Sequence, residues 1–330
     1  MERQIKIDLF ATIEKRLSTA SKIAVLCHAY GDGDCYGSAL ALQSAVSRVY
    51  GQNLTCCTLI SQEAVGSKYS FMPGVENIKV WPDGQDKYDL VLTVDTASTQ
   101  LLGSRVQLLD GAYVISFDHH SSFTAYADVD VREPHYGACA ELVYEFICHI
   151  AGEPTAEEAV CLYTAISSDT GGLSQKNTTP NSMMVSAKLC EYDSVKVDDI
   201  SFRLFKSSSF ARNQVIGHCL SNEKQYAGGK ICTSYITRQL LDETGCTDSE
   251  TDGIVSLVFA TEGCEIAILA KETLDGPTKC SLRSKEANVA QVAAHFGGGG
   301  HINAAGCRVD ADAESAAHIV ATYIIENGLI

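Results

Sequence analysis

Histidine and aspartate side chains crowd into one short segment near the N-terminus, CHAYGDGDCYGSA (27–39). It holds His28, Asp32 and Asp34 among glycines that favour a tight turn. Neighbouring carboxylates repel one another, and burying them costs free energy unless a cation compensates. The segment alone is typical of a solvated turn, and it becomes a candidate metal site only if other acidic residues join it.

More ionisable residues stand at the ends of apolar runs. Three runs have this form: KIAVLCH ending at His28, YDLVLTVD ending at Asp95, and GAYVISFD ending at Asp118. Their Val, Ile, Leu and aromatic content is typical of strands buried in a parallel sheet. Because ligands of such sheets bind beyond the carboxyl ends of the strands, we expect these residues to meet at one sheet edge.

Helical patterns alternate with the apolar runs. SALALQSAVSRVYG and CAELVYEFICHIAG each stop at a glycine. We expect the first of these helices to begin near Gly37 and Ser38. TAEEAVCLYTAISSDTGG opens on a capping box, Thr155 with Glu158, and places Asp169 near a helix end. The alternation predicts an α/β fold in which helices flank a mostly parallel N-terminal sheet.

Eight ionisable side chains are thereby predicted at one sheet edge: His28, Asp32, Asp34, Asp95, Asp118, His119, His120 and Asp169. Five carboxylates at close range would not all stay ionised unaided. Carboxylate and imidazole groups favour hard or borderline divalent ions such as Mn²⁺ or Mg²⁺. One ion does not need so many groups, so the set predicts two ions that share a carboxylate, an arrangement that activates water and clamps a phosphoryl group.

Composition narrows the classes of partner. The formal net charge is −16, from 25 basic and 41 acidic residues, which disfavours long nucleic acids but allows a small phosphorylated ligand held by local cations. No apolar run approaches the roughly 20 residues that span a bilayer, so we expect no membrane partner. Fourteen cysteines without C-x-x-C spacing indicate reduced thiols in a cytoplasmic protein rather than a zinc site.

The C-terminal part continues the strand and helix patterns. KICTSYI, CEIAILAKE and TKCSLRS predict strands, and a helix is predicted around NVAQVAAHF. GGGGH (297–301) is expected to be a loop between that helix and the closing helix. We place a catalytic domain at 1–200, a helical linker at 201–215 and a smaller α/β domain at 216–330, with the active site in the cleft between the domains.

The ordered motifs resemble those of the DHH phosphoesterase superfamily. The four motifs are His28-x3-Asp32-Gly33-Asp34, then Asp95, then Asp118-His119-His120, then Ser168-Asp169-Thr170-Gly171-Gly172. In the C-terminal part, GGGGHINAAG, preceded by SLRSKEANVAQVAAHF, resembles the glycine-rich signature of the DHHA1 domain. The resemblance covers nearly the whole chain. The compact size is similar to the stand-alone branch of nanoRNases, pAp phosphatases and cyclic-dinucleotide phosphodiesterases, not to the longer single-strand DNA exonucleases.

The resemblance implies a role for each residue of the N-terminal motifs. The metal ligands would be His28 and Asp32 on one ion, Asp34 and His119 on the other, Asp95 shared between them, and Asp169 completing the cage. Asp118 would orient a neighbouring histidine, and His120 would face the phosphate. The catalytic group would be Asp95, Asp118, His119 and His120, around a bridging hydroxide that attacks phosphorus in line.

The DHHA1 resemblance implies a substrate-binding role for the second domain. Backbone N–H groups of Gly298, Gly299 and Gly300 would approach an anion. His301 and Arg283 would donate hydrogen bonds to phosphate oxygens, as would His120 of the first domain. An anion site across from the metals would limit the substrate to one or a few nucleotides.

Together these implications predict a phosphoesterase that uses two Mn²⁺ or other divalent ions. It would hydrolyse short oligonucleotides and pApA-type dinucleotides to mononucleotides, and pAp to AMP as a further activity. The alternatives are a phosphoanhydride hydrolase acting on pyrophosphate or short polyphosphate, a catalytically silent nucleotide sensor, and a long-strand nuclease. For the predicted phosphoesterase, the sequence does not decide which of these substrates is preferred, from which end cleavage proceeds or which metal is used in the cell. It also leaves open the oligomeric state, for which a homodimer is one possibility.

Several positions depart from the family pattern without removing a predicted ligand. Gly31 stands where proline is common, and Tyr36 where a small or aliphatic residue is common. Ala138 and Cys139 stand where Ser or Thr often starts a helix, and Leu173 replaces a common phenylalanine. These departures bear on substrate preference.

Overall fold

The computed structural model describes residues 3–81, 86–274 and 276–330, and the chain divides into two compact units, Met1–Ser207 and Ser208–Ile330. The strands of the N-terminal unit are β1 Lys22–Leu26, β2 Cys56–Ser61, β3 Lys79–Val80, β4 Leu90–Val94, β5 Tyr113–Asp118 and β6 Val129–Arg132. Its helices are α1 Arg3–Leu17, α2 Gly33–Tyr50, α3 Cys139–Ala151, α4 Ala156–Asp169, α5 Pro180–Leu189 and α6 Val197–Ser201.

All neighbouring strands of the N-terminal sheet are parallel, in the order β3-β2-β1-β4-β5-β6. The three strands with ionisable ends, β1, β4 and β5, are therefore adjacent. Their apolar side chains are buried in a core built with α2, α3 and α4, as expected for a sheet covered by helices. Thr155 and Glu158 form the predicted capping box of α4.

The second unit is built on a mixed sheet in the order β11-β12-β10-β9-β8-β7, in which β8 and β9 pair in parallel and the other described neighbours pair antiparallel. Its strands are β7 Lys224–Tyr226, β8 Ile231–Ile236, β9 Ile266–Thr273, β10 Gly276–Ser284, β11 Gly299–His301 and β12 Ala304–Val309. Its helices are α7 Phe210–Ser221, α8 Arg238–Thr244, α9 Ile254–Phe259, α10 Val289–His295 and α11 Ala313–Glu326. The predicted fold class, a parallel α/β unit followed by a smaller α/β unit, is confirmed.

Helix α2 begins earlier than predicted, at Gly33 rather than near Gly37 and Ser38. The cause is Asp32, whose Oδ1 accepts a hydrogen bond of 3.0 Å from the N–H of Cys35 and so caps the helix. Asp34 therefore lies in the first helical turn and not in a loop, and the positive end of the helix dipole favours its carboxylate there.

The glycine run 297–301 is not the predicted loop between two helices, because its second half forms the edge strand β11 and a strand, β12, follows it. A Cβ on Gly298 would lie 2.1 Å from the carbonyl oxygen of Gly306, so close packing against β12 requires glycine there. The N–H of Gly298 donates to the carbonyl of Ala293 at 2.8 Å and is not free for an anion. Gly299 has open space around it, whereas Gly300, with φ +141°, also packs against β12.

Across the described ranges, no helix combines the length and the apolar composition needed to cross a membrane. All fourteen cysteines are free, and ten of them are buried.

Candidate metal centre

The structure brings all eight predicted ionisable side chains together at the carboxyl edge of the N-terminal sheet. His28 follows β1, Asp95 follows β4 and Asp118 ends β5, while Asp32 and Asp34 start α2 and Asp169 ends α4. Each histidine of the set has a ring nitrogen 3.2–3.7 Å from at least two carboxylate oxygens, and each aspartate is reached by at least one histidine. The eight side chains therefore form one connected cluster.

His119 lies at the centre of three carboxylates. Its Nε2 is 3.3 Å from Asp95 Oδ1, 3.6 Å from Asp169 Oδ2 and 3.7 Å from Asp34 Oδ2. Its Nδ1 is 3.1 Å from the carbonyl oxygen of Tyr136, which can only accept, so Nδ1 carries a proton. The other nitrogen is thereby turned towards the acids, which is how proteins orient a metal-binding histidine.

Asp95 faces His28 with one carboxylate oxygen and His119 with the other. Its Oδ2 is 3.6 Å from His28 Nε2 and its Oδ1 is 3.3 Å from His119 Nε2. Its Oδ1 is buried and makes no hydrogen bond, and its backbone has φ +51°, a left-handed conformation that few residues with side chains adopt. A strained residue with a buried oxygen that makes no hydrogen bond would suit a ligand of a divalent cation.

Asp34 is fully buried and connects two helices. Its Oδ2 accepts from the N–H of Cys139 at 2.6 Å, and its Oδ1 from the N–H of Ala140 at 3.0 Å and the hydroxyl of Ser38 at 2.9 Å. The N-cap residue of α3, Ala138, has no side-chain hydrogen bond to the helix. Asp34 therefore caps α3 from outside, which explains why Ser or Thr is not needed before Cys139.

The first predicted ion would lie near His28 and Asp32, whose closest nitrogen and oxygen are 3.7 Å apart. Cys35 joins these two in a set whose ligand atoms lie within 4.8 Å of one another. The sequence analysis did not predict that Cys35 would lie beside these two residues. Its position three residues after Asp32, which caps α2, could have indicated this proximity. Burial and the neighbouring thiol of Cys27 raise the pKa of Cys35, so it stays a neutral thiol and a poor ligand.

His120 is oriented by Asp118. The fully buried Asp118 accepts from the backbone N–H of His120 at 2.6 Å and lies 3.2 Å from its ring Nδ1. Arg132 fixes the same segment by donating to the carbonyl of His120 at 2.7 Å. Among the described residues, the ring nitrogen opposite Asp118 has no hydrogen-bond partner, and the His120 side chain is 39% exposed.

Sequence reasoning also missed Asn177. Its side-chain amide donates to the carbonyl oxygens of Asp169 and Gly137, both at 3.0 Å, and so fixes the end of α4 that presents Asp169. The residue stands in the polar stretch SQKNTTP, where an asparagine gives no signal of its own.

The departures at Gly31 and Tyr36 are coupled. A Cβ on Gly31 would lie 2.2 Å from the ring of Tyr36, so the tyrosine excludes proline from that position. Tyr36 is only 5% exposed and packs 5.9 Å from the ring of Tyr69, so it fills the core behind the loop. Leu173 adopts φ +65° and donates its N–H to the hydroxyl of Thr170 at 3.0 Å.

The cluster holds more protons than its residues would bind when unfolded. Burial, with the charges of Asp95 and Asp169, raises the pKa of Asp34 well above its ordinary value. Burial likewise raises the pKa of Asp169 to about 6, although His119 opposes the shift. Burial lowers the pKa of His119, but the surrounding carboxylates outweigh it and raise that pKa to about 10. A divalent cation would supply the missing positive charge.

These shifts predict how pH acts on metal binding. Groups with raised pKa values bind more protons when folded, so stability falls as pH rises between the unfolded and folded values. That window runs from 3.8 to about 6 for Asp169 and from 6.5 to about 10 for His119. A divalent cation held by these residues would replace the protons. We therefore expect Mn²⁺ to raise the Tm above that of the chelator-treated protein by about 5 °C more at pH 8 than at pH 5.5.

Thermal unfolding with and without Mn²⁺ at the two pH values measures this effect. Asp193→Asn, a change at an exposed carboxylate outside the cluster, serves as the control and should show the same pH dependence as the parent chain. An equal Tm increase at both pH values would contradict the proton displacement.

In the second unit, the predicted phosphate-binding side chains share one face of the sheet. Arg283 of β10 pairs with Ala304 of β12, which pairs with His301 of β11. Residues directly opposite each other in antiparallel strands point to the same side. Arg283 and His301 therefore lie in one row across three strands, with Gly299 on the same side of β11.

The fold and the cluster define a parallel α/β protein with a candidate two-metal site. A family model described as the DHH family, N-terminal domain, matches residues 22–166, and the DHHA1 domain model matches residues 228–326. The chain therefore carries a DHH-family N-terminal domain followed by a DHHA1 domain.

Several known proteins are similar to the chain in sequence or in fold. The bifunctional oligoribonuclease and PAP phosphatase NrnA of Thermus thermophilus is 29% identical over 309 residues, covering 91% of this chain and 87% of that protein. An exopolyphosphatase-related protein from Bacteroides fragilis has a TM-score of 0.87 at 23% identity, covering 99% of this chain and 98% of that one. RecJ from Thermus thermophilus, in complex with Mn²⁺, has a TM-score of 0.54 at 14% identity, covering 97% of this chain and 54% of that one.

Proposed function

We propose that this protein is a metal-dependent phosphoesterase that hydrolyses short oligoribonucleotides and dinucleotides to mononucleotides, and pAp to AMP. The observation that carries the proposal is Asp95, whose two carboxylate oxygens face two different histidines. A relative named as an oligoribonuclease and PAP phosphatase, aligned over 91% of the chain, supports the substrate class. Hydrolysis of phosphate esters is the chemistry that two bridged divalent ions serve.

The proposal assigns the ligands in two overlapping groups. His28, Asp32 and Asp95 would hold one ion, and Asp34, Asp95, His119 and Asp169 the other. When bound, two Mn²⁺ ions lower the pKa of water and offset the charge of the phosphoryl group. Mn²⁺ suits this mixture of imidazole and carboxylate, and Mg²⁺ is the second choice.

The remaining residues position the substrate. Asp118 holds the His120 ring so that it donates to a phosphate oxygen, which stabilises the charge that develops there. Arg283 and His301 would bind the rest of the nucleotide chain, with 216–330 as the substrate-binding domain, 1–200 as the catalytic domain and 201–215 as the linker. A reducing compartment such as the cytoplasm suits fourteen free thiols.

A product assay with Mn²⁺ tests the proposal. pAp, pApA, a five-nucleotide RNA, cyclic di-AMP and pyrophosphate are incubated side by side, and nucleotide and phosphate products are separated. We expect AMP from pApA and from the five-nucleotide RNA. Release of phosphate from pyrophosphate alone would overturn the proposal in favour of a phosphoanhydride hydrolase, and binding without turnover would favour a sensor.

A further inference from the structure

Three basic residues lie side by side across the second sheet. Lys279 of β10 is paired in register with Lys271 of β9 on one side and with Arg308 of β12 on the other. Like charges directly opposite one another destabilise a sheet. The row concentrates positive charge at one place on the sheet, in a chain whose net charge is −16.

Only one member of this cationic row, Lys271, is neutralised within the described ranges. Lys271 Nζ lies 2.9 Å from Asp248 Oδ1, 2.8 Å from the hydroxyl of Thr251 and 3.2 Å from the carbonyl of Asp248, so its three donors are used. Lys279 and Arg308 are exposed, and neither has an ion pair or a side-chain hydrogen bond among the residues that the structure describes. Two charges of the row are therefore available to a ligand.

A cavity of about 240 Å³ opens beside the row. Strand alternation puts Lys279, Ser281 and Arg283 on the same side of β10, and all three line the cavity. Leu269 and Val255 supply apolar walls, and Asp252 is an acidic group at the same cavity. Arg283 is also one of the two predicted phosphate-binding side chains of this unit, with His301. From Arg283 the cavity extends along β10 towards Lys279.

We propose that this cavity is a second phosphate subsite, which binds the phosphate of a third nucleotide of a short oligonucleotide. The inference rests on the proposed function and adds residues to its substrate-binding face. Within the cavity, Lys279 supplies an unpaired positive charge and Ser281 a hydroxyl. Arg308, which does not line the cavity, adds a second unpaired charge beside Lys279 on β12. A dinucleotide has no phosphate to place there, so the subsite favours oligonucleotides of three or more residues.

Equilibrium binding separates this subsite from catalysis. The affinity for pApA and pApApA is measured by calorimetry with Mn²⁺ in an Asp95→Asn chain, in which turnover is stopped. We expect the trinucleotide to bind about 5- to 10-fold more tightly than the dinucleotide, and Lys279→Ala to remove most of that difference. The slope of log affinity against log salt concentration for the trinucleotide should fall by about 0.7, the value for one lost contact to a single strand.

Lys230→Ala is the matched control, because Lys230 is an exposed lysine of the same unit that pairs with Glu265 and lies outside the cavity. It should keep the preference for the trinucleotide, whereas Lys279→Glu should weaken trinucleotide binding further than alanine does. An equal effect of Lys279→Ala on both ligands, or none on either, would overturn the subsite. A retained trinucleotide preference in a parent chain that hydrolyses none of the substrates would overturn only the proposed activity.

Discussion

Asp95→Asn is expected to lower kcat/KM for pApA by about 10³-fold or more, because the residue faces both halves of the candidate metal centre. Its two oxygens lie 3.3 and 3.6 Å from the nitrogens of His119 and His28. Asparagine keeps one oxygen but loses the negative charge and the second oxygen donor that a bridge needs. Hydrolysis of pApA with Mn²⁺ gives the loss of rate, and calorimetry should show fewer than the two Mn²⁺ ions expected for the parent chain.

Asparagine is the better first probe at this position because of the backbone. Asp95 has φ +51°, and asparagine tolerates that left-handed conformation as aspartate does, whereas alanine adds strain. Asp95→Ala should therefore lose the activity and also some stability. Asp193→Asn, at an exposed site away from the cluster, should keep full turnover. Unchanged turnover in Asp95→Asn would refute the bridging role and the two-metal centre with it.

The sequence predicted that these ionisable side chains would cluster, because the residues that end apolar strands can be identified from the sequence pattern. An apolar run that stops at a histidine or an aspartate marks both a buried strand and the side chain at its carboxyl end. The parallel order of β1, β4 and β5 then brings His28, Asp95 and Asp118 to one edge. These relations depend on local pattern and on a general rule of parallel sheets, so one sequence was enough.

The sequence could not predict the contacts that orient the candidate ligands, because these contacts join segments that are distant along the chain. Asp34 accepts from Cys139, 105 positions away, and His119 donates to a carbonyl on a different loop. The local sequence does not show which backbone N–H or carbonyl group will form a hydrogen bond with a distant segment in the folded chain. The same limit applies to Gly31, where the excluded proline is explained only by the ring of Tyr36 folding back on it.

Short elements were also missed or misplaced for a physical reason. Strand β11 has three residues, two of them glycine, and has no apolar pattern of its own. It forms because β12 offers an edge for pairing, and that tertiary contact outweighs the weak strand propensity of glycine. The start of α2 was misplaced because Asp32 was assigned only to the metal, although the same side chain also caps the helix.

Arg105 is expected to be the most sensitive structural residue next to the centre. It is fully buried, and its guanidinium donates to the carbonyl oxygens of Ile60 at 2.6 Å, Cys27 at 2.7 Å and Leu102 at 3.3 Å. It thereby joins the carboxyl ends of β1 and β2, one residue before His28. Arg105→Met leaves these carbonyls without donors in a dry interior, and we expect the free energy of unfolding to fall by about 3 kcal/mol or more.

Arg105→Lys should also be destabilising, because one ammonium group cannot reach all three carbonyl oxygens to which the planar guanidinium group donates. Urea unfolding with Mn²⁺ and with chelator measures both variants, and Arg203→Lys, in an exposed pair with Asp199, should change stability by less than about 1 kcal/mol. If Arg105 supports the site as well as the fold, Mn²⁺ affinity falls with stability, since the carbonyl of Cys27 sets the position of the His28 backbone. Stability within about 1 kcal/mol of the parent chain in Arg105→Met would mean that the three carbonyls find other donors.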